Sequence, residues 1–148
     1  MSLGSRGRTA RTQVLVGIVI HLDTNILIDI VTCHSAQVEM VHGWLSHKIP
    51  LAASAVTWSE FCNGPHTKEQ KNAVHAILTG GIHPFTADQA EFASRLFHQT
   101  GRKRGSHADC MIAAAAYCTR QSIATRNIKD FERFTPFGVK MIPVPTLS

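Results

Sequence analysis

The stretch VLVGIVIHLDTN, Val14 to Asn25, decides the fold. Val14 to Leu22 is almost continuously apolar and rich in β-branched residues, which is the composition of a parallel strand covered on both faces. It gives way at once to Asp23-Thr24-Asn25, so a carboxylate is delivered at the carboxyl end of the expected central strand. Arg6, Arg8 and Arg11 ahead of the run imitate a secretory signal. The run from Val14 to Ile20 is short, however, and no small-x-small site follows it, so a buried strand explains it better. Residues 1–12 are set aside as a flexible tail or expression scar, and one domain is expected over 13–148.

Downstream, apolar residues change period. Val38, Val41 and Leu45 recur at helical spacing over Ser35 to Lys48, and Pro50 to Ser54 reads as a second strand. Thr57 and Glu60 match a T-x-x-E capping box opening a short helix that stops at Asn63-Gly64-Pro65. Thr67 to Leu78 is helical, Gly80-Gly81 breaks it, and Ile82 to Phe85 supplies a short edge strand despite Pro84. Thr86 and Gln89 cap a helix whose apolar face is Ala90, Ala93, Leu96 and Phe97. After the loop Gly101 to Gly105, Ser106 and Asp109 resemble a further capping box before the small-residue run Met111 to Ala116. Ser122 to Thr125 and Val139 to Pro143 complete five strands. Their alternation with helices predicts an α/β fold, a doubly wound parallel sheet with right-handed crossovers.

In such sheets ligands bind beyond the carboxyl ends of the strands. Asp23 follows strand one, Glu60 lies after strand two, Asp109 opens the helix before strand four, and Asn127 and Asp130 follow strand four. Each acid alone has a structural explanation as a helix cap. Together they would repel one another, and full ionisation calls for cations or helix N-termini. Mg²⁺ or Mn²⁺, which favour carboxylate oxygen and water and leave positions for phosphate, fit that need.

Leu22-Asp23-Thr24-Asn25, Thr57 to Gly64 around Glu60, Asp109 to Ala114, and Ala124-Thr125-Arg126-Asn127 to Asp130-Phe131 resemble, in order and spacing, the PIN-domain nucleases, and among them the VapC-type toxins of toxin–antitoxin pairs. The resemblance runs from about Ile18 to Val144. It implies strand order 3-2-1-4-5, single-stranded RNA as substrate, and Mg²⁺ or Mn²⁺ as cofactor. It matches Asp23, Glu60 and Asp109 to catalytic, metal-binding carboxylates, and Thr24 and Asn25 to the segment that orders the first of them. Asn127 falls at a further metal position where many members carry aspartate, so a second metal site there is weakened or needs substrate. Asp130 is its alternative contributor or, equally, a cap of the turn into Phe131, and Arg126 is a candidate for substrate contact. A cognate antitoxin and a homodimer are the implied partners.

The net charge of +5 supports a polyanionic partner only weakly. Three of the fifteen basic residues lie in the acid-free first twelve positions, leaving twelve bases against ten acids, a net of +2. Arg102, Lys103, Arg104, Arg126, Lys129 and Arg133 either line the approach to the acids and hold phosphates or form a solvated surface. Trp44 and Val41 are expected on an exposed or partner-covered helix face, with core burial as the alternative. The four cysteines have no zinc-ligand spacing and read as free thiols of a reducing cytoplasm. No stretch approaches the roughly 20 apolar residues of a membrane span, so a soluble protein is expected. His107 as a proton carrier has little beyond proximity to Asp109. Two other functions compete with the nuclease: a PIN-like RNA-binding module without cleavage, and a metal-dependent phosphatase using Asp23, although its usual D-x-D form is absent.

Overall fold

The computed structural model describes residues 18–145. Val14 to Gly17 of the expected first strand, and the expected tail at 1–12, lie outside the described residues. Five short strands, β1 (Ile20–Leu22), β2 (Leu51–Ser54), β3 (Gly81–His83), β4 (Ser122–Ala124) and β5 (Lys140–Ile142), form one sheet in the order β3-β2-β1-β4-β5. Every pairing is parallel, with Ile20 opposite both Leu51 and Ser122. The expected α/β architecture and strand order are therefore those found.

Seven α-helices and a 3-10 turn connect the strands among the described residues: α1 (Thr24–Val31), α2 (Ser35–Ser46), α3 (Ala55–Cys62), α4 (Lys68–Ile77), α5 (Ala87–Gln99), α6 (His107–Cys118), α7 (Ile128–Glu132) and the turn Thr135–Phe137. None is long and apolar enough to cross a membrane. Two apolar cores account for the apolar strands. Ile20, Leu22, Leu51 and Ala53 pack with Ile26, Leu27, Phe61 and Val74 of the helices in one core. Ile123 packs with Phe92, Leu96, Ile112, Phe131 and Phe134 in the other. Burial on both faces is what requires near-continuous hydrophobicity in the central strands. His21 is the exception in β1: it is buried, hydrogen-bonds to Gln121, and meets the His83 ring edge-on at 5.1 Å. Burial pushes its imidazole pKa down to about 4.

Several local expectations change. The cap of α3 is Ser54, whose Oγ accepts from the Thr57 backbone N–H at 3.1 Å. Strand β2 runs into the helix without a loop, so Thr57 lies inside the first turn, buried, and Glu60 is no capping partner. Ser106 occupies the cap position of α6 but makes no capping hydrogen bond, its hydroxyl donating instead to the Lys103 carbonyl at 2.6 Å. Asp109 is thus free of the capping role as well. Thr86 and Gln89 do form their box, and a second one, Thr67 with Gln70, opens α4. In α5 the buried face is Gln89, Phe92, Ala93 and Leu96, while Ala90 points to solvent. Val41 is a core residue at 4% exposure and Trp44 packs half-buried against the same core, so the expected exposed face does not include Val41. Helix α2 turns Val38 outward instead.

Candidate active site

The carboxyl edge of the sheet begins at Asp23, whose N–H continues the ladder by donating to the Ala124 carbonyl at 2.9 Å. Its side chain caps α1: Oδ1 accepts from the Thr24 N–H at 2.8 Å. Oδ2 accepts from the Thr125 hydroxyl at 2.7 Å and from Asn25 Nδ2 at 3.3 Å. The capping explanation of Asp23 is correct as far as it goes. It leaves unexplained why a capping carboxylate should be 95% buried, since burial of a charge is costly and caps usually sit at the surface. Burial is the main cause that lifts the Asp23 pKa to about 6, with the charges of Asp109 and Glu60 adding to it against the hydrogen bonds from Thr125 and Thr24.

Asp109 comes from the first turn of α6 and Glu60 from α3. Burial raises the Asp109 pKa, with Asp130 and Glu60 adding to the effect and Arg133 and Lys103 opposing it. These mutual effects mean that Asp23, Glu60, Asp109 and Asp130 share one electrostatic field. Glu60 is exposed, and its Oε1 accepts from Thr24 Oγ1 at 2.6 Å, so the residue after Asp23 also orients the second acid. Asp130 is tied to Lys103 Nζ at 2.7 Å, and that contact, aided by Asn127, holds its pKa down.

A hydrogen-bonded scaffold supports Asp23. The Thr125 hydroxyl also accepts from Asn25 Nδ2 at 3.2 Å and from the Asn127 N–H at 3.0 Å. Asn25 Oδ1 accepts from the Arg126 N–H at 3.2 Å. The Arg126 side chain turns away to Asp29 of α1, Nε to Oδ2 at 2.6 Å and Nη2 to Oδ1 at 3.1 Å. Asn127 sits at the N-cap of α7, without a capping side-chain bond. Arg133 lays its guanidinium 4.8 Å over the Phe134 ring, and its buried Nε and Nη2 have no partner among the described residues. Arg102, Arg104 and Lys129 are exposed.

Sequence reasoning missed Thr125 and Asp29. Thr125 carried one signal, its place at the end of a strand beside β1. Asp29 carried none, because its partner lies 97 positions away.

The donor set is all oxygen, the chemistry that hard divalent cations take. Among the described residues, no group of three or more His, Cys, Asp or Glu side chains stands close enough together to hold an ion. The set therefore fits a cation held by one or two carboxylates, with water and a substrate phosphate supplying the remainder, as Mg²⁺ commonly is.

The model of the PIN domain family matches residues 20–135. No curated protein matches in sequence. Among solved structures, the chain is similar to a toxin–antitoxin complex from Klebsiella pneumoniae at 26% identity and TM-score 0.67, covering 86% of this chain and 99% of that one. It is similar to FitAcB from Neisseria gonorrhoeae at 26% identity and TM-score 0.59, covering 84% and 96%. It shares its fold with VapBC2 from Rickettsia felis, solved bound to a DNA fragment from the promoter, at 21% identity and TM-score 0.65, covering 84% and 98%. With the acids gathered at the sheet edge and the family model spanning nearly all of the described fold, the chain belongs to the PIN domain family.

Proposed function

We propose that this chain is a metal-dependent endoribonuclease that cuts single-stranded RNA and acts as the toxin of a toxin–antitoxin pair. The observation that carries the proposal is a carboxylate buried beside two others: burial, with a smaller push from the charges of Asp109 and Glu60, raises the Asp23 pKa to about 6 although three hydrogen bonds favour its charged form. An arrangement so unfavourable to its own charges is stabilised by a divalent cation. The similarity to the structure of a toxin–antitoxin complex supports the toxin role.

In this proposal Asp23 and Asp109 hold Mg²⁺ or Mn²⁺, Glu60 joins them through water or directly, and Asn127 offers a neutral oxygen at a weaker position. When bound, the cation lowers the pKa of a water at neutral pH and stabilises charge developing on phosphate. The chain's own residues do the positioning. Thr125 and Thr24 fix both oxygens of Asp23, and Thr24 orients Glu60. Asn25 ties the Asp23 loop to the backbone of Arg126. Asp130, neutralised by Lys103, stands at the rim, where the exposed Arg102, Arg104 and Lys129 are available to RNA phosphates. A cognate antitoxin covering the acidic edge, a homodimer pairing two edges, and a reducing cytoplasm compatible with four free cysteines belong to the same proposal.

A second proposal, a PIN module that binds RNA without cutting it, is favoured by Asn127 and by the open spacing of the acids. One experiment separates the two. The purified chain with Mn²⁺ is expected to cleave members of a single-stranded RNA panel and to stop in EDTA. Binding without cleavage, in the presence of a Mn²⁺-induced rise in melting temperature, would favour the module. Absence of both cleavage and a metal-induced shift would overturn the nuclease.

A further inference from the structure

At the opposite end of α6 from Asp109, a cavity of about 440 Å³ opens between the end of that helix and the start of β5. Tyr117, Cys118, Arg120, Gln121, Gly138 and Lys140 line it. The Tyr117 ring is a rigid plate. It stacks on Phe92 with centroids 4.2 Å apart and planes 9° from parallel. Gly138 fits closely against its edge, where a Cβ on the glycine would fall 2.7 Å from Tyr117 Cε2. Even so, Tyr117 stays 38% exposed.

The charges here are available. Arg120 and Lys140 are both exposed, and neither is in an ion pair among the described residues. Asp88 and Arg95 act on the neighbouring Cys118 with opposite sign, while the cavity lining itself carries Arg120 and Lys140 and no acid. Arg95 continues the pattern, lying 5.2 Å over Phe92 beside an adjoining cavity of about 300 Å³ that Phe137 also lines. A fixed aromatic plate flanked by unpaired cations is how proteins hold single-stranded nucleic acid, the plate taking a base and the cations its phosphates. Because the ring is already immobilised, little side-chain freedom is lost on binding. A protein partner would be anchored by a desolvated central pocket, whereas the charged Arg120 and Lys140 of this lining are exposed to solvent.

We propose that this cavity is a second RNA subsite, in which a base of the single strand stacks on Tyr117 while Arg120 and Lys140 hold the adjoining phosphates. Its ligand class rests on the ribonuclease proposal. Eight residues of α6, roughly 12 Å of helix, separate Asp109 from Tyr117. Only an RNA of several nucleotides reaches both ends, so the subsite favours long strands over short ones.

The test is anisotropy of a labelled single-stranded 20-mer RNA in EDTA across a salt series, for wild type, Tyr117→Leu and the Arg120→Glu/Lys140→Glu double variant. The double variant should bind at least about tenfold more weakly, with a salt slope lower by about 1.4, the release expected for two lost phosphate contacts on a single strand. Tyr117→Leu should weaken binding about tenfold with the slope unchanged, as loss of stacking requires. Cleavage of a five-nucleotide RNA with Mn²⁺ should be the same for all three. Variants with wild-type affinity and slope would overturn the subsite, and the exposed Arg120 and Lys140 decide the matter if Tyr117→Leu does not fold. Light scattering that finds a wild-type dimer split by these substitutions would also overturn it, by assigning the face to a second copy of the chain. A wild type that binds through the cavity but never cuts RNA fails the nuclease alone. A wild type that cuts while the variants bind normally fails the subsite alone. No RNA binding by the wild type overturns both.

Discussion

Thr125 Oγ1 donates to Asp23 Oδ2 at 2.7 Å across 102 positions of sequence, locking the end of β4 to the end of β1. The same hydroxyl accepts from Asn25 Nδ2 and from the Asn127 N–H, so its one donor and two acceptor sites are all in use. Thr125→Val keeps the shape and removes all three bonds. It should lower stability by about 1–3 kcal/mol in urea unfolding and raise the Mn²⁺ concentration needed for half-maximal cleavage. Thr125→Ser should restore most of both. A valine variant with wild-type metal dependence would show that the hydroxyl does not position Asp23.

Asp23→Asn and Asp109→Asn should each reduce Mn²⁺-dependent cleavage by at least about 100-fold, as loss of several kcal/mol of charge stabilisation requires. Stability of Asp23→Asn should change by less than about 1 kcal/mol, since asparagine caps a helix about as well as aspartate. Relief from burying a charge offsets the accepting oxygen that asparagine lacks. Normal melting together with normal cutting in either variant would remove the metal-site proposal.

Arg126 and Asp29 form a two-pronged ion pair in which Asp29 is only 1% exposed. Arg126→Met should cost about 3 kcal/mol, because it strands a buried carboxylate. Adding Asp29→Leu should recover much of that loss, since an apolar pair needs no counter-charge. Chemical denaturation of the two variants checks both numbers. If Arg126 instead serves mainly to grip RNA, its removal alone would weaken RNA binding while leaving the denaturation midpoint in place.

Gly138 ends the 3-10 turn at φ +98°, and the Tyr117 ring occupies the space a side chain would need. Gly138→Ala should therefore destabilise by roughly 1–2 kcal/mol from backbone strain alone, with displacement of the ring adding to it. Thermal melting should register a drop of several degrees. Tyrosine fluorescence would not isolate the ring movement cleanly beside two tryptophans, so the chemical shifts of Tyr117, the single tyrosine, are the more direct probe.

The fold was legible because its signals are local. Apolar runs such as Leu51 to Ser54 and turn markers such as Asn63-Gly64-Pro65 are short-range consequences of burial and backbone sterics. The ends of helices were less so. Thr57 and Glu60 satisfied the spacing of a capping box, but spacing does not reveal that β2 enters α3 directly and leaves Ser54 as the cap. Val41 illustrates another limit: helical periodicity finds a face, but only the neighbouring elements determine whether that face meets solvent. In the site, Asp23, Glu60 and Asp109 stood out as acids near strand ends and do share one field. The groups that hold them, Thr125 for Asp23 and Asp29 for Arg126, are ordinary residues whose roles exist only through contacts about a hundred positions apart.

That β4 lies between β1 and β5 also has a consequence in time. All three clustered acids precede residue 110 in the chain, yet the clamp on Asp23 comes from Thr125, and the centre of the sheet closes only when β4 pairs with β1. A chain emerging from the ribosome therefore carries its acids well before it can arrange them, because pairings so distant in sequence form late. Any product truncated ahead of β4 has every carboxylate and no assembled edge. Strand order thus makes assembly of the acidic edge wait on synthesis through β4.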